Sequence, residues 1–319
     1  NAAKLAARAL LAKPHGPRFP HYASHPRIHH RLNLWLGGIA GCLAYLFLGR
    51  LVDPTIAFLA VALWIVHPIG NQCYGWISGI GYLLAGSFML AALNWVYIAQ
   101  DLGWMATPLG VTGAILVYSL LQGLAYRAQF TAMGSVLILL LLHHWAFAVM
   151  ALLIAGLGSL KVILEVVSVR KATFESQNMS ASVRLHWKKL VVAGKSLAYN
   201  VRLILWPKRL GLYHNFGYHY PVPSIEWEDR WFWAGFLIVG ASIGALWLPH
   251  PIPLAVTWFY AFAIFVLNWM TIHQFIAERY MWLPSLAICL LLAAYLPLPL
   301  YMLLLGLLLR RVVRVAARL

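Results

Sequence analysis

Acidic residues are scarce in this sequence of 319 residues: eight aspartates and glutamates stand against 24 lysines and arginines, and the formal net charge is +16. Charges of both signs make up only 10% of the chain, whereas 62% of the residues are hydrophobic. This composition excludes an ordinary soluble domain and, with it, a nucleic-acid partner. The expected partners of the basic residues are therefore membrane phosphates, either lipid headgroups or a bound lipid-phosphate substrate.

Cysteine is also rare, and its distribution argues against a metal site or a disulfide framework. Cys42, Cys73 and Cys289 are far apart and lie in or beside apolar runs, so we expect all three to pack in the core. A histidine-rich segment precedes the first apolar run, but no Cys, Asp or Glu joins it, which favours contact with water or phosphate over a metal. Its histidines are His15, His21, His25, His29 and His30. No cofactor held by the protein is predicted, and the use of a divalent cation is left open.

Long hydrophobic runs are abundant. Runs near the roughly 20 residues that cross a bilayer predict an all-α, polytopic helical bundle of about ten spans in a single membrane domain over residues 1–319. The domain divides into a basic interfacial segment (1–33), a first helical group (34–167), a long basic loop with interfacial helices (168–230) and a second helical group (231–319). The predicted spans cover residues 34–52, 55–66, 74–98, 109–126, 131–142, 145–167, 231–248, 252–272, 281–292 and 298–309.

Two segments outside the spans are predicted to lie along the membrane surface. Residues 1–13 combine leucines with basic residues and contain no acid, which is typical of a basic interfacial helix or of an organelle transit peptide. In the long loop, Ala193, Leu197 and Val201 recur every fourth residue. Cations recur every seventh residue on a different side, which predicts a helix whose cations face water. These cations are Lys188, Lys195 and Arg202.

A hairpin with a polar tip is predicted over residues 64–86, which read WIVHPIGNQCYGWISGIGYLLAG. Pro68 restricts His67 to an extended conformation and so ends one helix. A short polar patch that includes Gln72 follows, and a second apolar run begins near Trp76. Aromatic residues on both sides of the patch are typical of a membrane interface. The pattern therefore predicts an ordered polar tip at the end of two apolar helices.

The tip and a second stretch together resemble a known family. The stretches HPIGNQCYGWISG and IAERYMWLPS are similar to parts of the membrane portion of the O-mannosyltransferases that carry transmembrane spans and tetratricopeptide repeats, and of their bacterial relatives. These are glycosyltransferases of the GT-C class. The matching positions are His67, Pro68, 76–78, 277–280 and 283–285. The order and spacing of the spans are also similar from residue 25 to residue 309.

The resemblance implies transfer of mannose or a similar sugar from a polyprenyl phosphate to a protein hydroxyl. The membrane is then the endoplasmic reticulum or the bacterial inner membrane, and the partners are lipids, the polyprenyl phosphate and an acceptor protein. Such transfer needs a carboxylate that deprotonates the acceptor and cations that stabilise the departing phosphate. Glu278 is the candidate base, and Arg279 is the favoured phosphate ligand. Further candidates for substrate or phosphate binding are His67, Gln72, Trp76, Tyr280, Arg202, Lys208 and Arg209.

The chain departs from the family at its acidic residues. Gln72 stands at the tip where an acid is often found, and the stretch LAYRAQFTA lacks the glutamate expected near the end of the fourth span. Other family acids would lie upstream of Asn1, and residues 1–319 do not include the tetratricopeptide repeats of the family. These departures indicate either a fragment of a longer protein or a catalytically inactive relative, and the alternative function is therefore an accessory subunit that binds lipid or other subunits of a membrane complex. A transporter is a third possibility, although inverted repeats are not evident.

The basic regions also raise the question of sidedness. They precede the first predicted span, separate the sixth from the seventh and follow the tenth, so all lie on one face of the membrane. The positive-inside rule makes this face cytoplasmic, although it loses force for loops of about 60 residues. The resemblance makes the same face lumenal or periplasmic, with the cations serving phosphate, and this is the expectation we adopt.

Overall fold

The computed structural model describes residues 26–75, 79–125, 128–174, 187–207, 230–264 and 278–316. Within these ranges the chain is helical and contains no strand, which confirms the all-α prediction. The α-helices are α1 (Pro26–Leu48), α2 (Pro54–Val66), α3 (Asn71–Gly75), α4 (Ile80–Asp101), α5 (Pro108–Leu124), α6 (Ala128–Leu141), α7 (Trp145–Phe174), α8 (Trp187–Leu205), α9 (Arg230–Ala245), α10 (Ile252–Ala263), α11 (Trp282–Tyr295) and α12 (Leu298–Ala316). Short 3₁₀ helices cover Pro68–Gly70, Trp104–Ala106 and Glu278–Met281.

Two helices of the described part are long and apolar enough to cross a membrane: Ile28–Leu48 within α1, and α4. A third crossing results if α2 and the adjoining Pro68–Gly75, which meet at a bend of 51°, form one broken span. The other apolar segments in these ranges have 10–17 residues, less than the roughly 20 that a straight crossing needs, and they include Trp145–Ser159 within α7 and Leu298–Arg310 within α12. The structure thus agrees with a helical membrane protein, while the count of about ten spans stays a prediction.

The ends of α2 follow from local chemistry. Asp53 caps the helix, since its Oδ1 accepts hydrogen bonds from the backbone N–H groups of Thr55 at 2.8 Å and Ile56 at 3.4 Å. Pro54 occupies the first turn, where a missing N–H group costs no hydrogen bond. The helix stops at Val66, as predicted, because Pro68 keeps its predecessor extended.

The short helices α2, α11, α10 and α6 pack side by side in that order, and α1 and α4 pack against each other and beside this row. Side chains cross the apolar contacts to reach backbone carbonyl groups. Asn94 Nδ2 donates to the Leu43 oxygen at 2.9 Å, and Trp258 Nε1 donates to the Leu283 oxygen at 2.9 Å. Hydrogen bonds of this kind hold helices together where the apolar surroundings give little driving force between them.

The described helices have two recognisable ends. At one end, Arg50 Nη1 donates to Asp101 Oδ2 at 2.7 Å and its guanidinium lies 5.5 Å from the Tyr97 ring centroid. The Tyr97 ring contacts the His144 ring at 5.4 Å, so the turns α1–α2, α4–α5 and α6–α7 meet there. We call this the turn end. The start of α1, the end of α2 and the starts of α4 and α11 lie at the opposite end, which we call the tip end.

The predicted interfacial helix in the long loop exists as α8, but one of its cations does not face water. Lys195 is only 5% exposed, and Ser196 and Asn200 are also buried. The reason is tertiary packing. The backbones of α8 and α9 approach so closely at Gly194 and Gly235 that a Cβ atom at Gly235 would collide with the Gly194 carbonyl oxygen. The prediction was therefore right for the helix and wrong for the side that Lys195 occupies.

The cysteine prediction was right at two positions of three. Cys73 and Cys289 are buried in the core, whereas Cys42 is exposed. Cys42 lies on the face of α1 opposite Asn33 and Gly37, which pack against Tyr74. The basic segment over residues 1–13 lies outside the described residues, as do the histidines before residue 26.

Candidate functional site

His67 joins the hairpin tip to α8. Its backbone is extended, with φ −67° and ψ 127°, and its Nδ1 accepts a hydrogen bond from the Ile69 N–H group at 3.2 Å. The opposite ring nitrogen lies 2.9 Å from the Ile204 carbonyl oxygen. Because Nδ1 accepts, Nε2 carries the proton and donates to Ile204. The ring is buried, so it acts as a link between two elements that the sequence separates by 137 positions.

Gln72 and Arg279 meet across 207 positions of sequence. Gln72 Oε1 accepts hydrogen bonds from the Arg279 backbone N–H group at 3.3 Å and from Arg279 Nη1 at 3.4 Å. The Cys73 thiol donates to the Arg279 carbonyl oxygen at 3.8 Å. Gln72 and Arg279 are each 7% exposed. The two stretches that carry the family resemblance are therefore in direct contact through an amide and a guanidinium.

Aromatic residues form the layer beneath this contact. Trp282 Nε1 donates to the Tyr74 hydroxyl at 3.0 Å, and Trp64 Nε1 donates to the Trp282 carbonyl oxygen at 2.6 Å. Gly70 provides the space for Tyr74, since a Cβ atom there would lie 2.6 Å from the Tyr74 ring. We call His67, Gln72, Tyr74, Arg279 and Trp282 the tip site.

The Trp282 ring of the tip site packs against the side of the neighbouring helix α4. It lies against Gly86, where a Cβ atom would come within 2.6 Å of it. Gly86 follows Ile80, the first residue of α4, by six positions, which is about 9 Å along the helix axis. The aromatic layer at the base of the tip site therefore lies inward of the first residue of α4.

Tyr280 stands beside the guanidinium of Arg279. The Arg279 Cζ atom lies 5.0 Å from the Tyr280 ring centroid, a cation–π distance. The Tyr280 ring in turn contacts the ring of Tyr82 at 5.9 Å. Sequence reasoning missed Tyr82, whose only signal was its position near the start of the span that follows the tip. The pair adds an aromatic wall next to the cation.

Arg202 lies on α8 and packs towards α9 instead of towards Gln72. Its Cζ atom lies 5.3 Å from the Trp231 ring centroid and 5.8 Å from that of Tyr199, and the side chain is exposed. Its helix reaches the tip site through the Ile204 carbonyl group and also packs against the 3₁₀ helix Glu278–Met281. Sequence reasoning also missed the buried polar face of α8. Ser196 and Asn200, four residues apart, were the available signal.

Several predicted site residues cannot be placed. Trp76, Lys208 and Arg209 lie outside the described residues, and the Glu278 side chain is not described, although its backbone begins the 3₁₀ helix Glu278–Met281. Among the side chains that the structure does describe, the carboxylates are Asp53 and Asp101, both near the turn end. No group of three metal-ligating side chains occurs in the described part of the chain.

Comparison with known proteins assigns no family. No family model, curated protein or solved structure matches this chain. The functional proposal therefore depends on the two motifs and on the geometry of the tip site.

Proposed function

We propose that this chain is a membrane glycosyltransferase-like protein that binds a polyprenyl-phosphate sugar at the tip site. It transfers mannose or a similar sugar to a protein hydroxyl, or derives from proteins that do. The contact between Gln72 and Arg279 carries the proposal, because it joins the two motifs of the resemblance in a buried polar site. The proposed architecture is a GT-C-like bundle of about ten spans in the bacterial inner membrane or the endoplasmic reticulum.

Arg279 is the proposed phosphate ligand. A guanidinium matches two phosphate oxygens at once through parallel N–H donors, which a lysine ammonium does not. Gln72 Oε1 orients this group by accepting one hydrogen bond from the guanidinium and one from the Arg279 backbone N–H group. Burial strengthens its attraction for an anion relative to water. In the proposal, further phosphate and substrate contacts come from His67, Trp76, Tyr280, Arg202, Lys208 and Arg209.

Glu278 is the proposed general base when the protein acts as an enzyme. It precedes Arg279 directly, so a base at this position would stand beside the departing phosphate. Its role would be to accept the proton of the acceptor hydroxyl while the hydroxyl oxygen attacks the sugar carbon. The leaving polyprenyl phosphate keeps the bonding electrons, and Arg279 stabilises its charge.

Binding of the donor tests the proposal directly. Purified full-length protein is titrated with polyprenyl phosphate mannose in nanodiscs, and Arg279→Gln is compared with Arg50→Gln, the same change at the turn end. Loss of a charge-assisted hydrogen bond weakens Kd by about tenfold to a hundredfold. We expect this loss for Arg279→Gln only. Equal affinity in both variants, or no binding by the unmodified protein, contradicts the proposed site.

Assays of sugar transfer to acceptor peptides distinguish an active enzyme from a catalytically inactive relative. Activity that falls in Glu278→Gln while donor binding is retained supports Glu278 as the base. Donor binding with transfer unchanged in this variant refutes that role and leaves the binding site standing.

A non-catalytic accessory subunit is the second candidate. The amide of Gln72 cannot act as a general base, and the described carboxylate side chains lie near the other end of the helices. These observations favour a site that binds without reacting. Donor binding, absence of transfer, and recovery in a stable complex under mild detergent are the expected results for a subunit. Sugar transfer by the solitary protein excludes it.

A further inference from the structure

The outer face of α1 carries a groove of about 560 Å³ that the tip site does not use. Arg31 lies at one end of it, and the remainder is apolar. The lining residues are Arg31, Leu34, Trp35, Gly38, Ile39 and Cys42, with Leu43 beside them. The opposite face of α1 packs inward through Asn33, Gly37 and Ala40. The groove therefore faces away from the helix bundle.

The shape of the groove comes from a glycine. A Cβ atom at Gly38 would meet no atom within 4 Å, whereas a Cβ atom at the neighbouring Gly37 would lie 2.5 Å from the Tyr74 ring. Gly38 thus leaves a notch between Trp35, which is 74% exposed, and Cys42 on the next turn. From Arg31 to Cys42 the groove follows eleven residues of helix, or about 17 Å. This length is close to one leaflet, half of a hydrocarbon core of about 30 Å.

Any anion that pairs with the cation at the end of the groove comes from outside this part of the chain. Residues 1–52 contain seven lysines and arginines and no acid, and the first acid in the sequence is Asp53. Within the described residues, Arg31 makes no ion pair, and the salt bridge present there joins Arg50 to Asp101. Arg31 lies at the tip end of α1, which has the length and composition of a membrane span. Trp35 lies one turn further in, where an indole suits the headgroup boundary.

We propose that this groove binds one anionic phospholipid of the surrounding bilayer, with the lipid phosphate at Arg31 and an acyl chain over Gly38. The Arg31 cation suits a lipid phosphate, the apolar lining of the groove suits an acyl chain, and the length of the groove is close to that of one leaflet. The lipid covers a helix face that the described residues leave exposed and anchors α1, whose inner face supports Tyr74 of the tip site. The assignment is independent of the sugar-transfer function.

Lipid retention tests the assignment. The full-length protein is reconstituted in nanodiscs with equal amounts of phosphatidylglycerol and phosphatidylcholine, and the lipids that remain bound are counted by native mass spectrometry. We expect preferential retention of one phosphatidylglycerol. Arg31→Gln lowers the preference about fivefold, the effect of one cation near a membrane surface. Gly38→Leu fills the notch and removes the bound lipid, whereas Gly240→Leu, which also points into open space on α9, changes nothing.

Cys42 provides a second readout, which is its rate of labelling. It is the exposed cysteine, and Cys73 and Cys289 are buried, so a maleimide reacts selectively with Cys42. Phosphatidylglycerol should slow this labelling more than phosphatidylcholine does, and Arg31→Gln should abolish the difference. Equal protection by both lipids refutes the proposal. So does a dimer cross-linked through Cys42, which identifies a second copy as the occupant, or stronger protection by a polyprenyl phosphate than by phosphatidylglycerol.

Discussion

The indole of Trp64 stacks on the indole of Trp282 with ring centroids 4.8 Å apart and planes inclined by 21°. The same pair shares a hydrogen bond of 2.6 Å from Trp64 Nε1 to the Trp282 carbonyl oxygen. Trp64 lies near the end of α2 and Trp282 begins α11, so the pair fixes the two motif-bearing stretches at one level. Both side chains are almost fully buried. The pair therefore supports the contact of Gln72 with Arg279 above it.

The aromatic pair should be essential for the tip site. Trp282→Ala removes a buried indole that contacts Trp64, Tyr74 and Gly86, and such truncations cost about 3–5 kcal/mol. Trp64→Phe keeps most of the stacking but removes one of two donors to the Trp282 carbonyl group, the other being Ser285 Oγ, and loss of one such hydrogen bond costs about 0.5–1.5 kcal/mol. We expect Tm in nanodiscs to fall in both variants, and more in Trp282→Ala. The exposed Trp247 provides the control, and a Trp247→Ala loss as large as that of Trp282→Ala contradicts this assignment.

The close approach of α8 and α9 should depend on one glycine. Gly235→Ala places a methyl group against the Gly194 carbonyl oxygen, and because both partners are backbone the helices must separate, at about 1–3 kcal/mol. Gly240→Ala, on the same helix, meets no atom within 4 Å and should be neutral or stabilising by up to about 1 kcal/mol. Thermal unfolding of the two variants measures the difference. Equal Tm values would show that α8 does not pack on α9 through this position.

The link between the tip and α8 should depend on His67. His67→Ala leaves the Ile69 N–H and Ile204 carbonyl groups without their present partner, and each buried group left unsatisfied costs about 1–3 kcal/mol. We expect faster hydrogen exchange at the end of α8 in this variant. His30→Ala, at the start of α1, should leave that exchange unchanged. Unaltered protection of α8 in His67→Ala means that the ring does not hold the helix.

A histidine in the α6–α7 turn should make stability depend on pH. Burial of the ring, and secondarily the neighbouring His143, lower the pKa of His144 from its ordinary value of 6.5. The unfolded chain therefore takes up the proton first, so His144 supports the fold above pH 6.5 and this support is lost as the pH falls below it. We expect a lower Tm at pH 5.5 than at pH 8.

His144→Phe isolates this contribution. Phenylalanine keeps an aromatic ring against Tyr97 but does not titrate. The difference in Tm between pH 8 and pH 5.5 should therefore shrink in the variant. A pH dependence that is the same in both proteins assigns the effect to other groups. The pH values compared, 5.5 and 8, lie above the range in which Asp53 takes up a proton, because hydrogen bonds from Thr55 lower the pKa of Asp53.

Sequence reasoning succeeded where local chemistry decides the outcome. It predicted the all-helical class from apolar runs, and it predicted the end of α2 at His67 from the missing N–H and the steric effect of Pro68. It also predicted a helix in the long basic loop, which is α8. Each of these depends on neighbouring residues of the chain or on overall composition, so it can be recognised without knowing the packing.

Packing decided the rest. The periodicity of α8 could not show that Lys195 is buried, because it contains no sign that α9 packs closely against α8 beside this residue, at Gly194 and Gly235. Nor could the position of Tyr82 in its span show that it meets Tyr280. The sequence by itself determined a helical, basic, strongly apolar chain with a helix break at His67. Only the tertiary structure brought Gln72 to Arg279, because contacts between distant residues depend on how whole helices pack and leave no local pattern.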